Sequence, residues 1–296
     1  MADNPEHLII KEVPQGNFRT LVIAYSGWPD AAEGATTTLK YLIRHLQAKR
    51  FAHIEPEEFY IFSQERPRTS RSANGTRAIH WPSNEFYYWN NPNDPSDGII
   101  LLKGVEPNLR WKTFSSLIAN LAEEHKISNV VHLGALLDSV PHTRRTRMTG
   151  SSTNGRLQDT LDTSDIRTST YQGPTGISTA VMEAITKRGM GYASLWAHTS
   201  HYLHAAPNYR TSLALAENLV RLLNLPLDLK ELRTAADTFD REIDKAINKD
   251  NQLKEYVQKL EMKYDESSPS LELTDPSEIV DELEQFLKAN RKDDIS

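Results

Sequence analysis

The chain has no cysteine. Disulfide staples, thiolate metal sites and a cysteine nucleophile are therefore excluded, and the composition fits a reducing compartment. No apolar run approaches the roughly 20 residues that cross a bilayer. The opening residues Met1 to His7 lack the basic and apolar regions of a secretory signal. A cytoplasmic protein without membrane association is expected. Neither a P-loop nor a GxGxxG fingerprint occurs, so nucleotide binding of those kinds has no support. A strong basic excess is missing too. The formal net charge is −6, and the stretch from Pro226 onward holds 19 acidic and 11 basic residues, leaving 21 acidic and 23 basic before it. That balance does not suit the phosphate neutralisation of nucleic-acid binding. The cluster Arg144, Arg145 and Arg147 is the local exception, and it reads as a solvated or anion-coordinating turn.

What is present is an alternation of two periods. The apolar runs Leu21 to Tyr25, Phe59 to Phe62, Ile99 to Leu102, Val130 to Leu133 and Ala193 to Trp196 predict buried strands of a mainly parallel sheet. Between them lie helical stripes: Ala31 to Lys49, Leu109 to His125, Ile177 to Arg188 and Leu213 to Leu223. Strand alternating with helix predicts an α/β fold with helices on both faces of the sheet. Residues 63–97 break the rhythm with Arg, Ser, Asn, Pro and the aromatics Trp81, Phe86, Tyr87, Tyr88 and Trp89. They predict an inserted hairpin or meander whose aromatics either form a subunit interface or cover one end of the core.

Glycine is absent beyond Gly191. In the tail, Leu229, Leu232, Ala236, Phe239, Ile243, Ala246, Leu253, Val257, Leu260 and Tyr264 step by three and four, with Asp250 in an apolar slot. The polar cluster Asn248 to Asn251 predicts a turn that folds the segment into a helical hairpin. A further amphipathic helix is expected from Asp275 to Leu287. The expected organisation is an α/β core over 8–225 with the 63–97 insertion, a helical region over 226–290 and a disordered tail over 291–296.

Polar candidates gather where strands run into loops. Trp28 and Asp30 follow the strand ending at Tyr25, and Asp30 stands where it can cap the next helix. Glu106 follows the strand Ile99 to Leu102. Asp138, His142, Thr143 and Arg144 follow Val130 to Leu133, while Gly173, Thr175 and Gly176 open a helix whose amides suit an anion. Carboxyl ends of parallel strands are where open α/β sheets bind ligands, so these residues and His201 form the candidate ligand crevice. A carboxylate and a histidine together would serve acid and base chemistry, or they would satisfy buried amides. His198, His201 and His204 recur every three residues. That arc is too wide for a helix-borne zinc site and contains no carboxylate to orient the rings, so no metal is expected.

Taken in order, several motifs resemble the proteasome assembly chaperone 2 family. They are Gly27-Trp28-Pro29-Asp30-Ala31, Arg66-Pro67, Gly104-Val105-Glu106-Pro107 with Trp111 and Phe114, Gly134-Ala135-Leu136, Val140-Pro141-His142-Thr143-Arg144, Gly173-Pro174-Thr175-Gly176-Ile177, and Trp196 with His201-Tyr202. The resemblance runs from about residue 8 to 225 and takes in the tail helices of the bacterial branch. It implies a phosphorylase/hydrolase-like α/β fold, a carboxyl-terminal helical extension and self-association as a trimer. Eukaryotic and archaeal relatives dock on proteasome subunits through a terminal hydrophobic-Tyr-any tripeptide. Here Asp294-Ile295-Ser296 occupies that place, so docking by that route is not expected. Leu137 stands where the family has proline.

These readings favour a non-enzymatic, oligomeric protein-binding or assembly-type protein that requires no cofactor. Its partners would be further copies of itself and another protein, with burial of the aromatic and heptad surfaces as the mechanism. The alternative is a small-molecule enzyme or sensor using the strand-end crevice for an anionic ligand.

Overall fold

The fold was read from a computed structural model that describes residues 7–72, 74–164, 166–169, 171–203 and 205–266. The elements are β1 (Leu8–Ile10), β2 (Phe18–Ser26), α1 (Gly34–His45), β3 (Lys49–Ile54), β4 (Arg68–Arg71), β5 (Arg77–His80) and β6 (Asn84–Trp89). They continue with β7 (Gly98–Val105), α2 (Trp111–Glu124), β8 (Asn129–Asp138), β9 (Met148–Ser152), α3 (Gly155–Thr163), α4 (Ile177–Thr186), β10 (Gly191–Ser200), α5 (Tyr209–Leu223), α6 (Lys230–Ile247) and α7 (Asn251–Glu266). Among the described residues one eight-stranded sheet has the order β1-β3-β6-β7-β2-β8-β10-β9. Its centre, β7-β2-β8-β10, is parallel, and the flanking strands β9, β6, β3 and β1 join by antiparallel pairing. The carboxyl ends of the four central strands, at Ser26, Val105, Asp138 and Ser200, therefore share one rim.

Alternation along the central strands supplies two cores. Leu21, Ile23 and Tyr25 of β2, Ile100 and Leu102 of β7 and Val130 of β8 face Phe114, Leu117, Ile118 and Leu121 of α2 and Ile177, Val181 and Ile185 of α4. Val22, Ala24, Leu101, Val131 and Leu133 turn the other way onto Leu39 and Leu42 of α1, Leu215 and Leu219 of α5 and Leu161 of α3. Strands buried on both faces read as continuous apolar runs, which is why β2, β7 and β8 were visible in the sequence. The α/β class with helices on both faces, mostly parallel strands and a helical extension is what forms.

Phe59 to Phe62 and β3 differ from expectation, and β1, β9 and α3 correspond to no predicted element. Phe59 to Phe62 is not a strand. The Phe59 amide donates back to Pro56 O and the Gln64 amide to Ile61 O, so the segment coils. It plugs the end of one core, with the Phe59 ring 5.3 Å from Phe114 and Tyr60 Oη donating to Val105 O at 2.7 Å. The strand lies earlier, at β3, where the sequence predicted the end of a helix. There Phe51, Ala52 and Ile54 are buried while Lys49 and Arg50 are exposed, a pattern too mixed to announce itself. Residues 63–97 supply the separate hairpin β4-β5 and the strand β6, which enters the main sheet between β3 and β7. Phe86 is buried, Tyr87 and Trp89 pack on one core and Tyr88 on the other, and only Trp81 of that aromatic group is exposed.

The polar cluster at 248–250 is a turn between α6 and α7. The heptad residues do not form a seam for an outside partner. Leu232 and Ala236 of α6 pack on Leu213 and Ala216 of α5. Phe239 and Ile247 join Tyr256, Val257 and Leu260 of α7 around Tyr202 and Leu203. The extension thus buries its apolar stripe on its own body, because α5 and the loop after β10 leave apolar side chains that need cover. The helix expected at Asp275 to Leu287 and the tail 291–296 lie outside the described residues.

His132, on β8, is an anomaly inside the core beneath α2 and α4. It is buried, neither ring nitrogen has a hydrogen-bond partner among the described residues, and Tyr25 and Trp196 flank it at centroid distances of 6.1 and 5.4 Å. Burial pushes its pKa down to about 3. An unfolded imidazole titrates near ~6.5, so between these values the unfolded chain binds a proton that the folded chain refuses. The stability is present in full above about pH 6.5 and falls as pH drops toward 3, by up to about 1.4 kcal/mol per pH unit. His132→Leu should therefore lose about 2 kcal/mol less than the unaltered chain between pH 7 and pH 5. Urea denaturation at both pH values measures this, and equal losses would mean that the ring is already charged when folded.

Candidate functional site

The loop after β2 sets the first part of the rim. Gly27 adopts φ +113°, and Ala32 and Glu33 also take left-handed conformations, which cost a non-glycine residue on the order of 1 kcal/mol each. Asp30 offsets that strain. Its Oδ1 accepts the Ala35 amide at 2.7 Å and the Thr36 amide at 3.3 Å, and its other oxygen takes the Thr36 hydroxyl. Burial raises its pKa despite those bonds. Its backbone bridges to Ala135 of β8, whose amide donates to Pro29 O. The residue ties α1 to the sheet, with its carboxylate turned into the helix start.

Glu106, at the end of β7, meets this loop and the start of α4. Its Oε1 accepts the Ile177 amide at 2.8 Å. Burial raises its pKa, partly opposed by hydrogen bonds from the Ile177 and Trp28 backbones. A Cβ at Gly176 would stand 2.7 Å from Glu106 Oε1 and 3.3 Å from the Trp28 ring. Glycine is needed there because carboxylate and indole both close on its backbone. Trp28 itself remains 60% exposed. Nearby, the Thr175 hydroxyl bonds to that of Thr179, while Gly173 lies against Tyr171, whose hydroxyl donates to Pro174 O. Trp28, Glu106 and Gly176 are brought together as one latch.

His142, Thr143, Arg144 and His201 form a second group, held by the helical extension. His142 Nδ1 lies 2.6 Å from Tyr202 Oη, and Nε2 lies 3.1 Å from Asp244 of α6. The Thr143 hydroxyl donates to Glu261, and Arg144 grips Asp265 through Nε at 2.9 Å and Nη2 at 2.7 Å. His201 Nδ1 donates to Asp138 O at 3.1 Å, leaving Nε2 to accept from Tyr256 Oη of α7 at 3.0 Å. The bonds of the two groups run to different elements. One joins β2, β7 and α4, and the other joins the loop after β8 to α6 and α7.

Between β8, β9 and β10 lies an arrangement that no sequence motif announces. Asp138 Oδ2 accepts from His198 Nδ1 at 2.7 Å, and His198 Nε2 accepts from the Thr149 hydroxyl at 3.0 Å. Arg147 Nη1 stands 3.5 Å from the same carboxylate, and Asp138 Oδ1 takes the Ser139 amide. Burial alone would raise the Asp138 pKa. The hydrogen bond from His198, the charge of Arg147 and the Ser139 amide outweigh it and hold the carboxyl below the usual range. The order carboxylate, imidazole, hydroxyl is that of a nucleophile relay. Thr149, however, is 1% exposed, so the hydroxyl is presented to no substrate and the relay binds three strands together. Sequence offered only half a signal, since Thr149 belongs to a strand (β9) that was not predicted. His198 uses both ring nitrogens here, and His201 uses one on the Asp138 carbonyl and the other on Tyr256 of the extension. His204 lies outside the described residues.

Glu106→Ala should free the start of α4, with faster amide exchange at Ile177 and a loss of about 1.5 kcal/mol for a part-buried hydrogen bond to a carboxylate. Exchange monitored by mass spectrometry and urea denaturation test this, and an unchanged Ile177 amide would show that the latch is incidental.

The match to the PAC2 family covers residues 24–247. Among solved structures the chain is similar to a PAC2 family protein of Streptomyces avermitilis, at 33% identity and TM-score 0.73 over 81% of this chain and 99% of that one. It is similar to a proteasome-assembly chaperone homologue of Mycobacterium tuberculosis, at 30% identity and TM-score 0.72 over 80% of this chain and 99% of that one. The Pyrococcus furiosus archaeal proteasome activator PbaB shares the fold at 17% identity, with TM-score 0.64 over 81% of this chain and 97% of that one. No curated protein matches the sequence significantly. With the family pattern running from β2 through α6 on this sheet, the chain belongs to the PAC2 family.

Proposed function

We propose that this protein is a non-enzymatic, self-associating protein-binding protein of the assembly-chaperone type. The family and the Mycobacterium tuberculosis homologue support a chaperone-like role. The observation that carries self-association is the hairpin β4-β5. Among the described residues it pairs with no other strand, all eight of its residues are exposed, and it carries Ile79 and leads into Trp81. An isolated two-stranded hairpin is marginal in water, so this one gains most by seating its apolar residues on another chain. Trp81 packs on Phe62 at 4.8 Å and thereby stiffens the arm at its base. The rim groups favour the same reading, because Asp30, Glu106, His142 and Arg144 each hold a helix in place. A small-molecule enzyme would need those groups turned toward a substrate.

The expected assembly is a trimer in the cytoplasm, built by copies of this chain, with a further protein as client. Light scattering on the eluting protein should give the mass of three 33.6 kDa chains. Ile79→Ser with Trp81→Ser should shift it to one chain without loss of helical signal. A single-chain mass for the unaltered protein, or no shift in the double variant, would overturn the arm as the interface.

A further inference from the structure

A small cavity of about 110 Å³ opens between the loop after β8, the end of α3, α5 and α7. Three arginines line it: Arg145, Arg147 and Arg167. Among the described residues no carboxylate lines it. Asp138 stands behind Arg147 at 3.5 Å and offsets one of the three charges. The guanidinium groups of Arg145 and Arg167 take part in no ion pair or hydrogen bond among the described residues. Like charges converging in a part-buried space are unfavourable unless an anion joins them.

The three arginines are held from separate directions. The Arg145 carbonyl accepts the Tyr264 hydroxyl of α7 at 2.9 Å. The Arg147 carbonyl accepts the His198 amide at 2.9 Å, and its guanidinium lies 4.9 Å above the Tyr264 ring. The Arg167 carbonyl accepts the Gly150 amide at 2.9 Å, beside β9. The fold therefore assembles the cluster in advance, bringing Arg167 to Arg145 and Arg147 from 22 and 20 positions further along the chain.

A second feature narrows the ligand. Asn218 of α5 also lines the cavity and is 8% exposed. Its Nδ2 donates to Ala214 O at 2.8 Å, which leaves Oδ1 facing away from that bond, buried and without a donor. Arginines ask for an oxyanion, while Asn218 Oδ1 asks for a hydrogen. A protonated oxyanion supplies both. At neutral pH every phosphate ion keeps at least one O–H, whereas sulfate has none. The volume is well under the ~300–1,000 Å³ of drug-sized sites, so it takes a single tetrahedral group.

We infer that this cavity is an inorganic phosphate site, holding the ion between Arg145, Arg147 and Arg167 with its O–H donated to Asn218. Tyr264 makes α7 one wall of the site.

Calorimetric titration of the full chain with inorganic phosphate at constant ionic strength, with sodium chloride as reference, tests it. Saturable binding is expected, with sulfate roughly fivefold weaker for want of the donated hydrogen bond. Arg145→Gln with Arg167→Gln, both at solvent-accessible positions, should weaken phosphate about tenfold or more per arginine. Asn218→Ser should abolish the preference for phosphate over sulfate, and the sulfate comparison on the unaltered chain carries that arm if the buried variant does not fold. Glycerol 3-phosphate, whose phosphate is mainly a dianion without an O–H at neutral pH, should bind more weakly than inorganic phosphate, and tighter binding would overturn the assignment. Heats equal to those of chloride, affinity unaltered in the double arginine variant, or sulfate binding as tightly as phosphate would overturn the assignment.

Discussion

The buried carboxylate of Asp138 is the point on which the molecule turns. One residue at the end of a central strand gathers His198 from β10, Arg147 from the approach to β9 and the Ser139 amide, while its carbonyl takes His201. Removing a charge from water costs several kcal/mol unless its lone pairs are answered, and here both oxygens are. His201 passes the connection on to Tyr256 of α7. The sheet, the loop at 139–147 and the extension are thus linked through a single strand end.

That linkage explains why His142, Thr143 and Arg144 at the rim are bonded to the extension, beside a cavity of about 460 Å³ that they help to line. In an open α/β sheet the strand ends are the usual ligand site, and loops there carry polar groups with few internal partners. In this chain α6 and α7 lie over part of the rim and bring Asp244, Glu261 and Asp265 to His142, Thr143 and Arg144. The acidic excess of the tail thus has a local purpose, because it meets a basic loop of the body. Exposed pairs of this sort contribute little each, so the apolar cluster around Tyr202, Phe239 and Tyr256 supplies most of the docking energy. The charges set its register.

Much of this was legible residue by residue. Strands β2, β7, β8 and β10 announced themselves because both faces are buried, and α2, α4 and α5 because one stripe of each is. The turn at 248–250 was legible from its polar run. β3 was missed because an outer strand with lysine, arginine and histidine lacks either apolar signature, and Phe59 to Phe62 misled because a plug at the end of a core is as apolar as a strand. At the rim, the residue types near Trp28, Glu106, His142 and Gly176 were legible, but their partners were not. Thr149 offered no sign at all.

Sequence by itself determined the types of the central strands and their flanking helices, the class of fold and the family pattern, because periodicity and glycine-proline motifs are local consequences of backbone geometry and burial. Only the tertiary structure decided what the polar residues do. Hydrogen-bond partners such as Asp138 and His198, or Arg145 and Tyr264, are 60 and 119 positions apart. Such pairings depend on strand order and on where the extension lands, quantities that no local pattern encodes.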